Sequence, residues 1–344
     1  MATHGVGIIG FGWVAGAHLH SFVKLDGFEP VAILSGRELD PAQIKASHGA
    51  DVRIYHEMDE FLNDPDVEVV DICTPHFLHA EQTIRASEAG KHVIVEKPVA
   101  LSYEDSVRML ETVRKNRTLT SVCFEVRFIS SARAIKSIIE QGLIGEVYYG
   151  EADYYHGIGP SYANQAWEVK REFGGSSLLR AGCHALDMLL HLVDDEVEEV
   201  FAYSNTSPNP LYAPYEYPLN TLTVMKFAGG ATGKVSSVTD CSQPYTFNMN
   251  VVGSEGSVRN DQFCSHKISG MQGWAKLDVE LIDSGDVADH PYDEQFAHFA
   301  RSLDEGTEAQ NNLESAFASH RVIFAADRSA ELGRPVKLAE FPLP

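Results

Sequence analysis

Over the first 125 residues, short apolar runs alternate with stretches whose apolar positions recur every three to four residues. Residues 6–9, 31–34, 52–55, 67–73, 92–95 and 119–124 are the apolar runs. Runs this apolar predict strands buried on both faces, as in a parallel sheet. The segments between them predict helices over 15–25, 41–47, 58–62, 78–89 and 103–115. In the first, Ala15, Leu19, Phe22 and Val23 share one helical face. Gly90 fits the residue after a helix end, and Glu104 and Asp105 fall in a first turn, where the helix dipole favours them. The fold class this implies is α/β, with residues 1–125 forming a Rossmann-type, doubly wound parallel sheet.

From residue 126 the pattern changes. A helix over 132–141 precedes longer, alternating strands at 147–155, 220–227, 231–238, 246–252 and 274–282, with helices at 184–193, 293–303 and 313–332. Alternation of apolar and polar residues predicts half-buried antiparallel strands. Residues 126–344 therefore read as a second α/β domain, for substrate binding and oligomerisation, built on a large open, mainly antiparallel sheet with helices on one face. An open apolar sheet face needs a cover, which predicts a homodimer or homotetramer.

Composition narrows the class. A formal net charge of −22 disfavours nonspecific binding to nucleic acid or to an anionic membrane. No apolar run approaches the roughly 18–20 residues of a membrane span. The chain enters a strand with no basic, apolar leader before it. Its five cysteines, 73, 123, 183, 241 and 264, form no C-x-x-C pair, so free thiols in a reducing cytoplasm are expected. No Cys/His spacing suggests a structural metal. His18 and His20 lie two apart on a helix and point different ways, and His76-x-x-His79 belongs to a strand-end segment treated below.

The most specific motif is Gly10-Phe11-Gly12-Trp13-Val14-Ala15, a G-x-G-x-x-A turn between a predicted strand and a predicted helix. Gly10 allows the tight turn, Gly12 lets a pyrophosphate approach the backbone, and Ala15 permits close helix–strand packing. At the end of the second strand stands Ser35-Gly36-Arg37, where an NAD-binding domain commonly carries an acidic residue. A hydroxyl and a guanidinium suit a 2′-phosphate, which favours NADP, while the nearby Glu38 and Asp40 keep NAD open.

Three further segments offer chemistry. Val95-Glu96-Lys97-Pro98 puts a lysine at the carboxyl end of the fifth strand, where ligands bind in such sheets; it is a general acid/base candidate or a surface lysine. Gly174-Gly175 leads to Arg180, His184 and Asp187, which share a helical face at four- and three-residue spacings; His184 can move a proton with Asp187 orienting it, or pack as a core histidine. Tyr154-Tyr155-His156 and the loop through Trp167 offer aromatic faces for a sugar ring, or are ordinary strand and loop aromatics.

Taken together, these residues resemble the glucose-fructose oxidoreductase/inositol dehydrogenase/rhizopine catabolism (Gfo/Idh/MocA) family over nearly the whole chain. Besides the glycine turn, residues 73–79 (CTPHFLH) are similar to a T-P-N-x-x-H segment. Residues 89–98 (AGKHVIVEKP) are similar to an A-G-K-H-V-x-x-E-K-P signature, and His184-x-x-Asp187 to a second-domain motif. The resemblance implies an NAD(P)-dependent oxidoreductase that transfers hydride between a nicotinamide cofactor and a sugar, cyclitol or related polyol. It implies Lys97 and His184 as the catalytic pair, and adds Thr74, Pro75, His79, Glu96 and Lys97 to the cofactor contacts. Arg127, Tyr155, His156, Trp167, Arg180 and Asp187 are the substrate candidates. Alternatives are a redox-cycling glycoside-cleaving enzyme with a tightly held cofactor and a noncatalytic dinucleotide-binding regulator. Two departures stand out. Arg180 occupies a position where many members carry Asp, and His76 stands in place of the Asn.

Overall fold

The computed structural model describes residues 2–160, 162, 166–281 and 283–344. The chain folds as two compact units, one made of the residues up to Glu125 with Asp286–Phe317 and Pro344, the other of Val126–Gly285 with Ala318–Leu343. The second boundary corrects the sequence reading, which placed everything after 125 in one domain. The reason is packing. The returning helix α9 (Tyr292–Glu305) lays Phe296 and Phe299 into the same apolar cluster as Leu19 and Phe22. Phe22 and Phe296 stack with centroids 4.4 Å apart. Local pattern cannot show which core a late helix joins.

The first unit holds six parallel strands, β1 (His4–Ile9), β2 (Phe28–Leu34), β3 (Arg53–Tyr55), β4 (Val69–Ile72), β5 (His92–Val95) and β6 (Thr120–Val122). Their order is β3-β2-β1-β4-β5-β6, the doubly wound dinucleotide-binding order. The linking helices are α1 (Trp13–Lys24), α2 (Pro41–His48), α3 (Met58–Leu62), α4 (His79–Glu88) and α5 (Tyr103–Asn116). Their ends follow from sequence. Asp40 caps α2 by accepting from the Ala42 N–H at 2.9 Å, with Pro41 in the first turn, where its missing donor costs nothing. Ser102 caps α5 by accepting from the Asp105 N–H at 3.1 Å. By contrast, α1 begins at Gly12 with no side-chain cap. All six strands and five helices expected for this region are present, with ends shifted by a few residues.

The second unit contains α6 (Ser130–Glu140), α7 (Arg171–Gly174), α8 (Cys183–Val193) and the C-terminal part of α10 (Leu313–Leu332). Its nine-stranded sheet comprises β7 (Val147–Tyr155), β8 (Val197–Asn205), β9 (Asn220–Phe227), β10 (Thr232–Val238), β11 (Thr246–Gly253), β12 (Gly256–Arg259), β13 (Gln262–Ser265), β14 (Ala275–Lys276) and β15 (Val336–Lys337). The order is β14-β13-β12-β11-β7-β10-β9-β8-β15. Every pairing is antiparallel except β7 with β10. Helix α8 lies against β7, β10 and β11. The expected strand over 274–282 shrinks to Ala275–Lys276, and its last residue, 282, lies outside the described residues. Strands β8, β12, β13 and β15 were not anticipated. Among the described residues, no helix is long and apolar enough to cross a membrane.

Candidate functional site

The glycine turn follows β1. Gly10 has φ +85°, and a Cβ there would lie 2.9 Å from Thr74 Cγ2, so this position requires glycine for both conformation and space. Its N–H donates to the Leu34 carbonyl at 2.9 Å, which ties the turn to the end of β2. Gly12 differs. Its backbone is extended, and a Cβ there would meet nothing within 4 Å. The protein's own packing does not need this glycine. Open space in front of an uncapped helix start fits a dinucleotide pyrophosphate, which the N–H groups and the helix dipole favour. Phe11 and Val14 are half-buried and Trp13 is exposed around this turn.

The loop after β2 closes on the same turn. Ser35 Oγ accepts from the Arg37 N–H at 3.0 Å, and the Arg37 guanidinium donates to the Phe11 carbonyl. A Cβ on Gly36 would meet nothing within 4 Å. Ser35, Gly36 and Arg37 thus stand beside Phe11. Of the two nearby acids, Asp40 is committed to capping α2, and Glu38 stands 3.8 Å from His56.

Thr74 and Pro75 follow β4, and Glu96 and Lys97 follow β5, so all four sit at carboxyl ends of central strands. Thr74 Oγ1 donates to Gln82 at 2.5 Å. His79 is fully buried, its two ring nitrogens facing the Pro98 carbonyl at 2.7 Å and the Thr74 carbonyl at 2.8 Å. Burial pulls its pKa down. The ring braces the Thr74 loop against the Lys97-Pro98 loop and shapes the site from beneath. Lys97 is half-buried, and its backbone N–H donates to Glu96 Oε2 at 3.1 Å.

Behind these loops lies a cluster that no spacing had signalled. His18, in the middle of α1, is fully buried. Its Nδ1 is 3.0 Å from Asp71 Oδ2 and its Nε2 is 3.3 Å from Glu96 Oε1. Donor atoms of His18, Asp71 and Cys73 lie within 4.8 Å of one another, as do those of His18, Glu96 and Cys123. The sequence inspection for metal sites considered His18 only with His20, because Asp71, Glu96 and the two cysteines arrive from other strand ends.

In the second unit, residues Leu178–Gly182 form a π-helical turn that leads into α8. The π-helical turn takes Arg180 out of the α-helical face that His184 and Asp187 share within α8, and the three side chains have separate partners. Arg180 pairs with the buried carboxylate of Glu168 through Nε and lies 5.0 Å above the Tyr215 ring. His184 is buried and stacks on Tyr154 with centroids 6.4 Å apart. Asp187 accepts from Arg127 Nε at 2.6 Å and Nη2 at 2.5 Å, and from Ser319 Oγ at 2.8 Å. Arg127 and Asp187 thus form a buried brace. Arg180 is likewise engaged, by Glu168.

Strand alternation separates the neighbouring tyrosines. Tyr154 shares the His184 side of the sheet, so Tyr155, adjacent on β7, faces the other side. The sequence names Tyr154 together with Tyr155 and His156 but does not single out the buried one. Period two was visible, but the buried phase was not. His156 Nδ1 lies 3.0 Å from the Tyr154 hydroxyl, and its ring meets those of Tyr162 and Tyr245 edge-on. Trp167 is half-buried next to Glu168. The aromatic segment around 155–167 includes residues 161 and 163–165, which lie outside the described residues.

A parallel sheet in dinucleotide-binding order, with an uncapped glycine turn at its centre, defines the first unit as a nucleotide-binding domain. Comparison with known proteins agrees. Residues 4–124 match the family described as "Oxidoreductase family, NAD-binding Rossmann fold", and residues 132–259 match the "GFO/IDH/MocA C-terminal domain". The chain belongs to the Gfo/Idh/MocA oxidoreductase family. It is 26% identical to a myo-inositol 2-dehydrogenase of Thermotoga maritima, over 97% of this chain and 98% of that protein. It is 29% identical to a levoglucosan dehydrogenase of Pseudarthrobacter phenanthrenivorans, over 75% of this chain and 73% of that one. A solved levoglucosan dehydrogenase in complex with NADH has the same fold, with a TM-score of 0.84 and 24% identity over 98% of this chain and 99% of that chain. The protein is an oxidoreductase.

Proposed function

We propose that the protein is a dehydrogenase or reductase for a hydroxyl or carbonyl of a sugar, cyclitol or related polyol, with NADP preferred over NAD. The observation that carries the reading is the pairing of the open, uncapped glycine turn after β1 with Lys97 at the carboxyl end of β5. A nicotinamide cofactor bound at that turn supplies the acceptor for the carbinol hydride. Gly10, Phe11, Gly12, Trp13 and Val14 line its pyrophosphate approach, and the Thr74-Pro75 and Glu96-Lys97 loops flank its nicotinamide end. In the oxidative direction Lys97 Nζ takes the hydroxyl proton; in the reductive direction it returns it. His184 is assigned as the second catalytic residue on the family motif. The relatives that act on inositol and levoglucosan support the substrate class.

The NADP preference rests on Ser35 and Arg37 beside Phe11, with no acidic side chain at the end of β2 and Asp40 spent on its helix. Parallel fluorescence titrations of cofactor-free protein with NADPH and NADH test it. Tighter NADPH binding is expected, weakened by Arg37→Ala. Equal or tighter NADH binding overturns the preference. A panel of polyols and ketosugars with the preferred cofactor then tests the activity, and Lys97→Ala abolishes whatever turnover is found.

We also infer a homo-oligomer, supported by an apolar patch on the uncovered sheet face. On β8 and β9, Phe201 pairs with Val224 and Tyr203 with Leu222, and Tyr203, Leu222 and Val224 are exposed. Light scattering gives the mass, and Tyr203→Glu with Val224→Glu shifts it to that of a monomer.

A further inference from the structure

The buried cluster around His18 is not explained by dinucleotide binding. Helix α1 packs on a parallel sheet, where apolar residues are the rule, yet here an imidazole with no exposure stands between two carboxylates. Three ionisable groups in a core are costly unless their charges offset one another. The ring is further enclosed edge-on by Phe22, Tyr292 and Phe296. Its position relates it to Lys97 through one residue. Glu96 turns Oε1 to His18 and Oε2 to the Lys97 backbone N–H.

We propose that His18 is a positioning residue for Lys97: paired with Asp71 and Glu96, it fixes the Glu96 carboxylate that holds the Lys97 backbone, and it offsets the negative charge that Glu96 would otherwise impose on the Lys97 amine. The proposal rests on the reading of Lys97 as the proton-carrying group. Electrostatics agree in direction. Burial works against ionisation of His18, but the nearby Cys73 and Asp71, with the Asp71 hydrogen bond, raise its pKa well above the ordinary value. Burial likewise opposes ionisation of Glu96, yet the nearby imidazole of His18, 3.3 Å away, with the charge of Lys97, holds its carboxyl below the usual range. Other titratable groups face the pair. They are Asp71 and Cys73 from β4, His79 from α4, Cys123 and Glu125 after β6, and His290 and Tyr292 at the start of α9. Glu125 is itself paired with His290 at 2.8 Å, and the His18 ring stands 3.3 Å from Glu96.

The test reads the Lys97 amine directly and needs no substrate. The full chain is labelled with limiting acetic anhydride between about pH 6 and about pH 11, and the Lys97 peptide is quantified by mass spectrometry. In His18→Gln the labelling midpoint moves up by about one pH unit, because the Glu96 charge is no longer offset. In Glu96→Gln it moves down. In the double variant the midpoint stays within about half a unit of that of Glu96→Gln, because His18 then has no carboxylate to act through, and this departure from additivity is the signature of coupled sites. If His18→Gln does not fold by circular dichroism, Glu96→Gln decides alone. Unchanged midpoints in the folded variants overturn the proposal. So does a stoichiometric metal ion in the purified wild type that is lost from His18→Gln, because the cluster would then be a ligand set. The catalytic reading fails separately, if Lys97→Ala retains turnover, whatever the labelling shows.

Discussion

Arg127 grips both carboxylate oxygens of Asp187, at 2.6 and 2.5 Å, inside the second unit, and Ser319 adds a third hydrogen bond at 2.8 Å. The two residues lie sixty positions apart in sequence, and neither is accessible to solvent. Asp187 is one helical turn from His184, so the brace holds the helix that presents the histidine. A buried pair broken on one side leaves an uncompensated charge, and that costs about 3–5 kcal/mol. Asp187→Asn is therefore expected to lower stability by that amount in urea unfolding. Ser319→Ala removes one hydrogen bond to a charged group and is expected to cost about 1.5–3 kcal/mol. A loss under about 1 kcal/mol in Asp187→Asn contradicts the brace.

The two glycines of the turn predict opposite outcomes. Alanine at Gly10 is strained twice, by φ +85° and by contacts of 2.9 Å to Thr74 Cγ2 and 3.1 Å to the Cys73 carbonyl. Gly10→Ala is expected to destabilise the fold by about 1–3 kcal/mol. Alanine at Gly12 meets nothing within 4 Å. Gly12→Ala is expected to leave the melting temperature of the cofactor-free protein within about 2 °C of the wild type. The same methyl stands where the pyrophosphate approaches, so binding of NADPH and NADH falls by at least about tenfold. A Gly12→Ala protein that binds either dinucleotide normally contradicts the placement of the phosphates.

The contrast between these glycines also shows how much was legible in the sequence. Gly10, Gly12 and Ala15 carry their meaning locally, because strand, turn and helix are contiguous. For the same reason the six parallel strands and the loops at Thr74 and Lys97 could be read directly. What could not be read came from juxtaposition. His18 meets Asp71, Glu96 and Cys73 only once three strands are ordered side by side. Spacing suggested a shared face for Arg180, His184 and Asp187, but a π-helical turn changes the phase between Arg180 and the other two. Strand β8 has the sequence VEEVFAYSN, whose charged, irregular alternation hides a strand that is half exposed on an open face. The segment Asp286–Phe317 shows no boundary in composition and joins the first unit because its phenylalanines fit that core.

Arg180 carries a prediction about substrate charge. Its guanidinium is neutralised by Glu168 and lies over Tyr215, and the Tyr217 hydroxyl donates to the Glu168 carbonyl at 2.7 Å. A cation already matched by a buried anion offers little net charge to an acidic substrate. The ratio of kcat/KM for a hexonic acid and for the matching hexitol is expected to change by no more than about threefold in Arg180→Gln, although that variant loses about 3 kcal/mol of stability. A selective loss of activity on the acid would reassign Arg180 to substrate recognition.

His191, in the last turn of α8, sets an acid limit on the second unit. Its pKa is lowered to about 4, first by burial and then by the charges of Arg127 and Lys136, while Asp187 and Asp194 pull the other way. In the unfolded chain the ring titrates near 6.5. Between these values the unfolded state binds the proton and the folded state does not. Stability is thus fully present above about pH 6.5 and is lost as the pH falls toward about 4. At about 1.4 kcal/mol for each pKa unit, the loss from this one group between pH 7 and pH 4 is about 3 kcal/mol. His191→Gln removes the titration but keeps a polar side chain. Comparison of urea midpoints at the two pH values isolates the effect, because every other group titrates in both proteins. The wild type is expected to lose about 3 kcal/mol more than the variant on acidification. Equal losses would mean that His191 accepts its proton in the folded protein, with α8 loosening at that end while the rest of the unit remains folded.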